Sequence, residues 1–172
     1  KVEPKSRREE AVLLDPPLAL ESRTPNLDVH CYKLEVLSGQ RLAVEVFGSR
    51  LGEDVDAALK LLDAGGRILA ASDDEPGSGK DPRLFHVFRK NQTAYVEVRE
   101  IRYQGGKFYR LRVGDFPLPM AAFPMVAQAG MKTSFASVGP PGETSLSRSA
   151  RISGLYGTPS RYSLGFRGSE HN

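Results

Sequence analysis

From His30 to Leu37 polar and apolar residues alternate strictly, with Tyr32, Leu34 and Val36 on one side of an extended chain and Cys31, Lys33 and Glu35 on the other. A period of two is the signature of a strand that lays one face on a core. The pattern returns from Arg41 to Phe47, where Leu42, Val44 and Val46 share a face. It returns again from Thr93 to Glu100, through Ala94, Val96 and Val98, and from Lys107 to Val113, through Tyr109, Leu111 and Val113. Such runs recur about every ten residues with turn residues between them, and no amphipathic helix is long enough to compete, so the expectation is all-β: an antiparallel sandwich or barrel. The 17 glycines and 12 prolines among 172 residues supply the turns that many short strands need.

The stretch from Asp54 to Asp81 is the centre of this arrangement. Apolar runs Ala57–Leu62 and Ile68–Ala71 flank Asp63-Ala64-Gly65-Gly66-Arg67, whose paired glycines allow the positive φ angles of a tight hairpin. Ser38-Gly39-Gln40 between two alternating strands predicts a second hairpin. Leu18–Ser22 follows Pro16-Pro17 and reads as an edge strand, whereas Arg83–Phe88, apolar on both sides, reads as a central one.

Four segments follow: a charged, solvated lead-in over residues 1–10, a β-domain over 11–115, a linker over 116–130 marked by Pro117, Pro119 and Pro124, and a β-rich stretch over 131–172. The last carries candidate strands Lys132–Val138, Ala150–Leu155 and Tyr162–Phe166, either as an extension of the first domain or as the start of a second. The first residue is not methionine, so the chain reads as an excised or processed piece.

The net charge of +3 is the balance of 24 basic and 21 acidic residues, largely interspersed. Nucleic-acid binding calls for basic residues gathered on one face, and Arg148, Arg151, Arg161 and Arg167 read instead as solvated β-surface. No apolar run approaches the length of a membrane span. A single cysteine, Cys31, excludes an internal disulfide. Cys31 and His30 are strand neighbours that point to opposite faces, so they form no catalytic dyad, and Cys31 reads as a small packed side chain. Gly77-Ser78-Gly79-Lys80-Asp81 lacks the spacing of a phosphate loop, and Asp81 stands where such a loop needs Ser or Thr.

Carboxylates crowd both ends of the central hairpin. Asp54 and Asp56 precede its first strand, and Asp73, Asp74 and Asp81 follow its second. Both loops lie opposite the Gly65-Gly66 turn, so these five aspartates are the candidate ligands of a calcium ion, a hard cation that takes six to eight oxygens. The competing reading is that they cap turns by accepting hydrogen bonds from backbone amides.

Residues 3–113 carry a series of short motifs in a fixed order. They run from Glu3-Pro4 and Ala11-Val12-Leu13 through Asp28-Val29, Tyr32, Leu34 and Gly39-Gln40-Arg41-Leu42. Asp56, Leu59-Lys60-Leu61, Asp63 to Gly66 and Asp73-Asp74 follow, then Asp81-Pro82-Arg83-Leu84, Tyr95-Val96-Glu97-Val98, and Gly106 with Tyr109-Arg110-Leu111. In this order they resemble the bacterial pre-peptidase C-terminal domain family, over about two-thirds of the chain. The resemblance implies a jelly-roll-like antiparallel β-sandwich and a non-catalytic accessory module, a spacer or binding domain beside other domains of an extracellular, periplasmic or cell-surface bacterial protein. The alternative is a lectin-like domain, calcium-dependent, binding a polysaccharide or matrix protein. For that reading Tyr95, Tyr103 and Phe108 are candidate sugar platforms, although the chain has no Trp.

Overall fold

A computed structural model describes residues 4–74, 79–119, 121–124, 126, 128, 131–139 and 147–151. The described residues are all-β apart from two single 3-10 turns, Arg8–Glu10 and Ser49–Leu51. The strands are β1 (Val12–Leu13), β2 (Leu18–Arg23), β3 (His30–Val36), β4 (Arg41–Phe47), β5 (Ala57–Asp63), β6 (Ile68–Ser72), β7 (Arg83–Val87), β8 (Gln92–Glu100), β9 (Phe108–Gly114), β10 (Ala121–Phe123), β11 (Lys132–Val138) and β12 (Ser147–Arg151). Two sheets make a sandwich. One has the order β1-β3-β8-β5-β6 and the other β2-β9-β4-β7, while β10-β11-β12 form a separate three-stranded sheet.

The alternation in the sequence is what closes the sandwich. Tyr32, Leu34, Leu59, Leu61, Val96 and Val98 from the five-stranded sheet meet Leu42, Val44, Val46, Tyr109, Leu111 and Val113 from the four-stranded one in a single buried cluster. Each fully buried Leu or Val of such a cluster stabilises the fold by about 1.5–3 kcal/mol. The two strands of the central hairpin pair antiparallel, with a register shift between Leu61 and Leu62. At their turn Gly66 has φ +84°, and the Asp63 carboxylate accepts from Gly65 N–H (3.0 Å) and Arg67 N–H (2.9 Å).

Two expectations are corrected. The strands on either side of Ser38-Gly39-Gln40 are not a hairpin: β3 pairs with β8 and β1, and β4 with β9 and β7, so the turn arches from one sheet to the other. A short turn between two alternating strands fits both geometries. The arch is chosen by its neighbours, because Gly39 N–H donates to Phe88 O (2.7 Å), Phe88 N–H to Gln40 O (3.0 Å) and Ser38 N–H to Asn91 Oδ1 (2.7 Å), tying it to the parallel crossing from β7 to β8. Secondly, β7 is an edge strand, although apolar on both faces. Its outward Phe85 is shielded by the Arg41 guanidinium at 5.4 Å rather than by another sheet. The sandwich is antiparallel as expected, except that the two-residue β1 joins the edge of the five-stranded sheet in parallel, Val12 opposite Tyr32 and Leu13 opposite Lys33. β2 is the edge strand expected.

Residues 4–10 are docked on the sandwich. Lys5 bridges to Cys31, whose N–H donates to Lys5 O (2.7 Å), and Cys31 is 0% exposed even though it points away from the core. Beyond the sandwich, β11 coincides with the expected Lys132–Val138 strand. β12 starts earlier than the expected Ala150–Leu155, and residues 152–155, Tyr162–Phe166, Arg161, Arg167 and His171 lie outside the described residues, as do Gly77 and Ser78.

Candidate functional site

The antiparallel pairing of β5 and β6 brings the residue before β5 beside the residues after β6, since Leu59 lies opposite Ser72. Asp56, Asp73 and Asp74 meet there, each offering one carboxylate oxygen within 4.8 Å of the others. Asp56 is held by the backbone: its carbonyl accepts from Ile101 N–H at 2.8 Å. Its Oδ2 lies 3.7 Å from Lys80 Nζ, and its Oδ1 is buried with no hydrogen-bond partner. Loss of hydration and the charges of Asp74 and Asp56 hold the Asp73 carboxyl above the usual carboxylate range. That direction marks like charges whose repulsion is only partly relieved. The donor set, all carboxylate oxygen, suits a hard cation; three aspartates supply part of the six to eight oxygens calcium takes.

The other two candidates do other work. Asp54 stands apart on an Arg102 clamp, with Arg102 Nη1 3.1 Å from its Oδ1 and Arg102 Nη2 donating to its carbonyl at 2.8 Å. Arg102 Nε also donates to Glu100 at 2.8 Å. Burial opposes ionisation of Glu100, but the Gln104 amide and Arg102 outweigh it and its pKa is lowered. Asp81 is 0% exposed and accepts four hydrogen bonds, from Gly48 N–H (2.9 Å), Ser49 N–H (2.7 Å), Arg50 N–H (2.9 Å) and Arg50 Nε (2.8 Å). This is the turn-capping geometry, applied across a 3-10 turn 30 residues upstream in sequence rather than locally. Of the five aspartates, then, the structure brings together three.

Two polar clusters have no sequence signal. Arg50 also pairs with Glu45 (2.9 Å), and Glu45 with Arg112 (3.2 Å), so a line of alternating charges runs over the outer face of the four-stranded sheet. Inside the core, Tyr109 Oη lies 2.6 Å from His30 Nδ1 and 2.7 Å from Tyr32 Oη. Burial lowers the His30 pKa to about 4 and raises the Tyr32 and Tyr109 hydroxyls, Tyr32 to about 12. A strand pattern shows that Tyr32 and Tyr109 face inward. It does not show that their hydroxyls and His30 converge from β3 and β9.

Catalytic chemistry has little to work with among the described residues. The Cys31 thiol is pushed up to about 12 by burial and by Glu97, the state of an inert thiol, and His30 turns away from it onto Tyr109. Of the candidate sugar platforms, Tyr95 and Phe108 are half-buried, while Tyr103 is exposed with the Arg99 guanidinium 5.7 Å from its ring centroid.

No family model matches the chain, and no curated protein matches it. Solved structures do. The pre-peptidase C-terminal domain of a collagenase from Bacillus anthracis superposes with a TM-score of 0.51 at 17% identity, covering 63% of this chain and 99% of that one. PliG, a periplasmic lysozyme inhibitor of g-type lysozyme, superposes with a TM-score of 0.47 at 16% identity for the Aeromonas hydrophila protein, covering 60% of this chain and 94% of that one. The Salmonella Typhimurium PliG gives 0.43 at 13% identity, covering 60% and 96%. The sandwich of this chain therefore has a fold like that of a pre-peptidase C-terminal domain.

Proposed function

We propose that the chain is a non-catalytic accessory module of an extracellular or envelope-associated bacterial protein, a spacer or binding domain beside other domains of a larger chain. The observation that carries this reading is that the collagenase domain aligns over 99% of its own length, so that the likeness takes in the whole of that domain and not a shared fragment. The chemistry agrees with it: Cys31 is buried and protonated, and His30 is committed to Tyr109. No helix among the described residues is long and apolar enough to cross a membrane. The test is an assay of the purified chain against chromogenic peptide, ester, glycoside and phosphate-ester substrates. No turnover above a buffer control is expected, and turnover that is abolished by His30→Ala or by an Asp56→Asn/Asp73→Asn double substitution would overturn the reading.

A second reading rests on the convergence of Asp56, Asp73 and Asp74 and the partnerless Asp56 Oδ1: the module binds calcium at this hairpin end and, with it, a polysaccharide or matrix protein. Calcium that binds only the folded state raises the melting temperature by mass action. An equal melting temperature in millimolar calcium and in excess chelator would remove the metal, and unretarded migration through polysaccharide-containing gels, with no retention on collagen, would remove the binding function.

A further inference from the structure

We infer that both segments flanking the sandwich are docked on its outer faces, so that the domain holds its neighbours in fixed orientation instead of tethering them loosely; this rests on the accessory-module reading above. On one face, the Lys5 bridge to Cys31 and the bond from Leu14 N–H to Lys33 O (2.9 Å) fasten the leading segment to β3 at two points. Between them the 3-10 turn Arg8–Glu10 sets the Arg8 guanidinium against Gly66, where any added Cβ would strike it. The segment closes over Cys31, which a solvated lead-in would leave exposed.

The exit is fastened to the opposite sheet. The Phe116 ring lies 3.6 Å from the Arg112 guanidinium carbon, Asp115 Oδ1 lies 3.5 Å from Arg41 Nε, and Arg83 Nη1 donates to Pro119 O at 2.8 Å. These contacts carry the segment from β9 across to β7, the far edge of the sheet. Leu118, within this segment, is 3% exposed. Pro117 and Pro119 restrict the undocked chain, so less entropy is lost when it docks. β10 begins at Ala121, two positions after the anchored Pro119, so the connection to the three-stranded sheet is short.

Two measurements on the full chain test this. By 15N relaxation, the amides of β11 and those of β3 to β9 are expected to share one rotational correlation time, and the Phe116→Ala/Arg83→Ala double variant to give β11 a shorter one. By reaction with Ellman's reagent, Cys31, the single thiol, is expected to react at least about 30-fold more slowly in the folded chain than in urea, and about tenfold faster in Arg8→Ala than in the wild type. A separate, shorter correlation time for β11 in the wild-type chain, or a wild-type thiol as reactive as the unfolded one, overturns the inference, as does a double variant that tumbles like the wild type. These outcomes leave the accessory reading standing, whereas catalytic turnover would end that reading without changing either measurement.

Discussion

Lowering the pH from 7 to 4 tests the reading of the His30–Tyr109–Tyr32 cluster. His30 is buried at the start of β3 with its ring 5.8 Å from that of Tyr109 and 6.5 Å from that of Tyr32. Loss of hydration lowers its pKa from 6.5 to about 4, only partly countered by Asp28. A histidine whose folded pKa lies below its unfolded one binds fewer protons when folded. Its contribution to stability is therefore complete above pH 6.5 and is lost as the pH falls towards 4. The full shift corresponds to about 3 kcal/mol, and residual solvent contact at the ring reduces this to about 1–2 kcal/mol. Protonation also turns Nδ1 into a donor, so the Tyr109 hydroxyl loses the option of donating to it. Urea unfolding at half-unit pH steps, on the wild type and on His30→Asn, isolates the histidine, because the carboxylates titrate alike in both. The wild type is expected to lose about 1–2 kcal/mol more than the variant across this window. Parallel curves would refute the argument and mean that the ring is hydrated or already charged in the native state.

In the same core, Tyr109→Phe leaves both His30 and Tyr32 without this partner and is expected to cost about 2–4 kcal/mol by urea unfolding; Tyr32→Phe keeps the His30–Tyr109 bond and costs about 1 kcal/mol. Asp81→Ala strips a buried acceptor from three amides and Arg50, and about 3 kcal/mol of destabilisation is expected from the same measurement, whereas an exposed ligand-type aspartate would cost almost nothing. Because the folded pKa of Asp73 is raised, its ionisation works against the fold, and the cost grows as the pH rises through that pKa. Asp73→Asn is therefore expected to raise the melting temperature at pH 7 in chelator by about 1–3 °C, and to abolish any rise caused by calcium, both read by differential scanning calorimetry.

Alternation made the inward faces of β3, β4, β8 and β9 readable, because period two is a local property and the core is built from it. The paired glycines did the same for the β5–β6 turn. Which strands pair is a different matter. The Ser38-Gly39-Gln40 turn became an arch through bonds to Phe88 and Asn91, some fifty positions away, and nothing within the turn encodes them. The apolar residues on both faces of β7 suggested a central strand, but β7 lies at the edge of its sheet and arginine–aromatic stacking shields its outward Phe85. For the aspartates, hairpin geometry was enough to bring Asp56, Asp73 and Asp74 to one end. The separation of Asp81 from them depends on the turn at Gly48–Arg50, and the pairing of Asp54 on Arg102, both distant in sequence.

The pairing of β2 with β9 sets a condition on when this domain can form. Glu21 and Arg110, partners across that pair, stand 89 positions apart in sequence, and Leu18 lies opposite Val113. A ribosome emits a chain at about 5–20 residues per second, so β2 waits several seconds for the strand that completes its edge of the sheet. In that interval its unpaired amides and the inward Leu20 are open to other chains. The sandwich is finished only when β9 arrives, so no shorter nascent chain can present its completed four-stranded sheet.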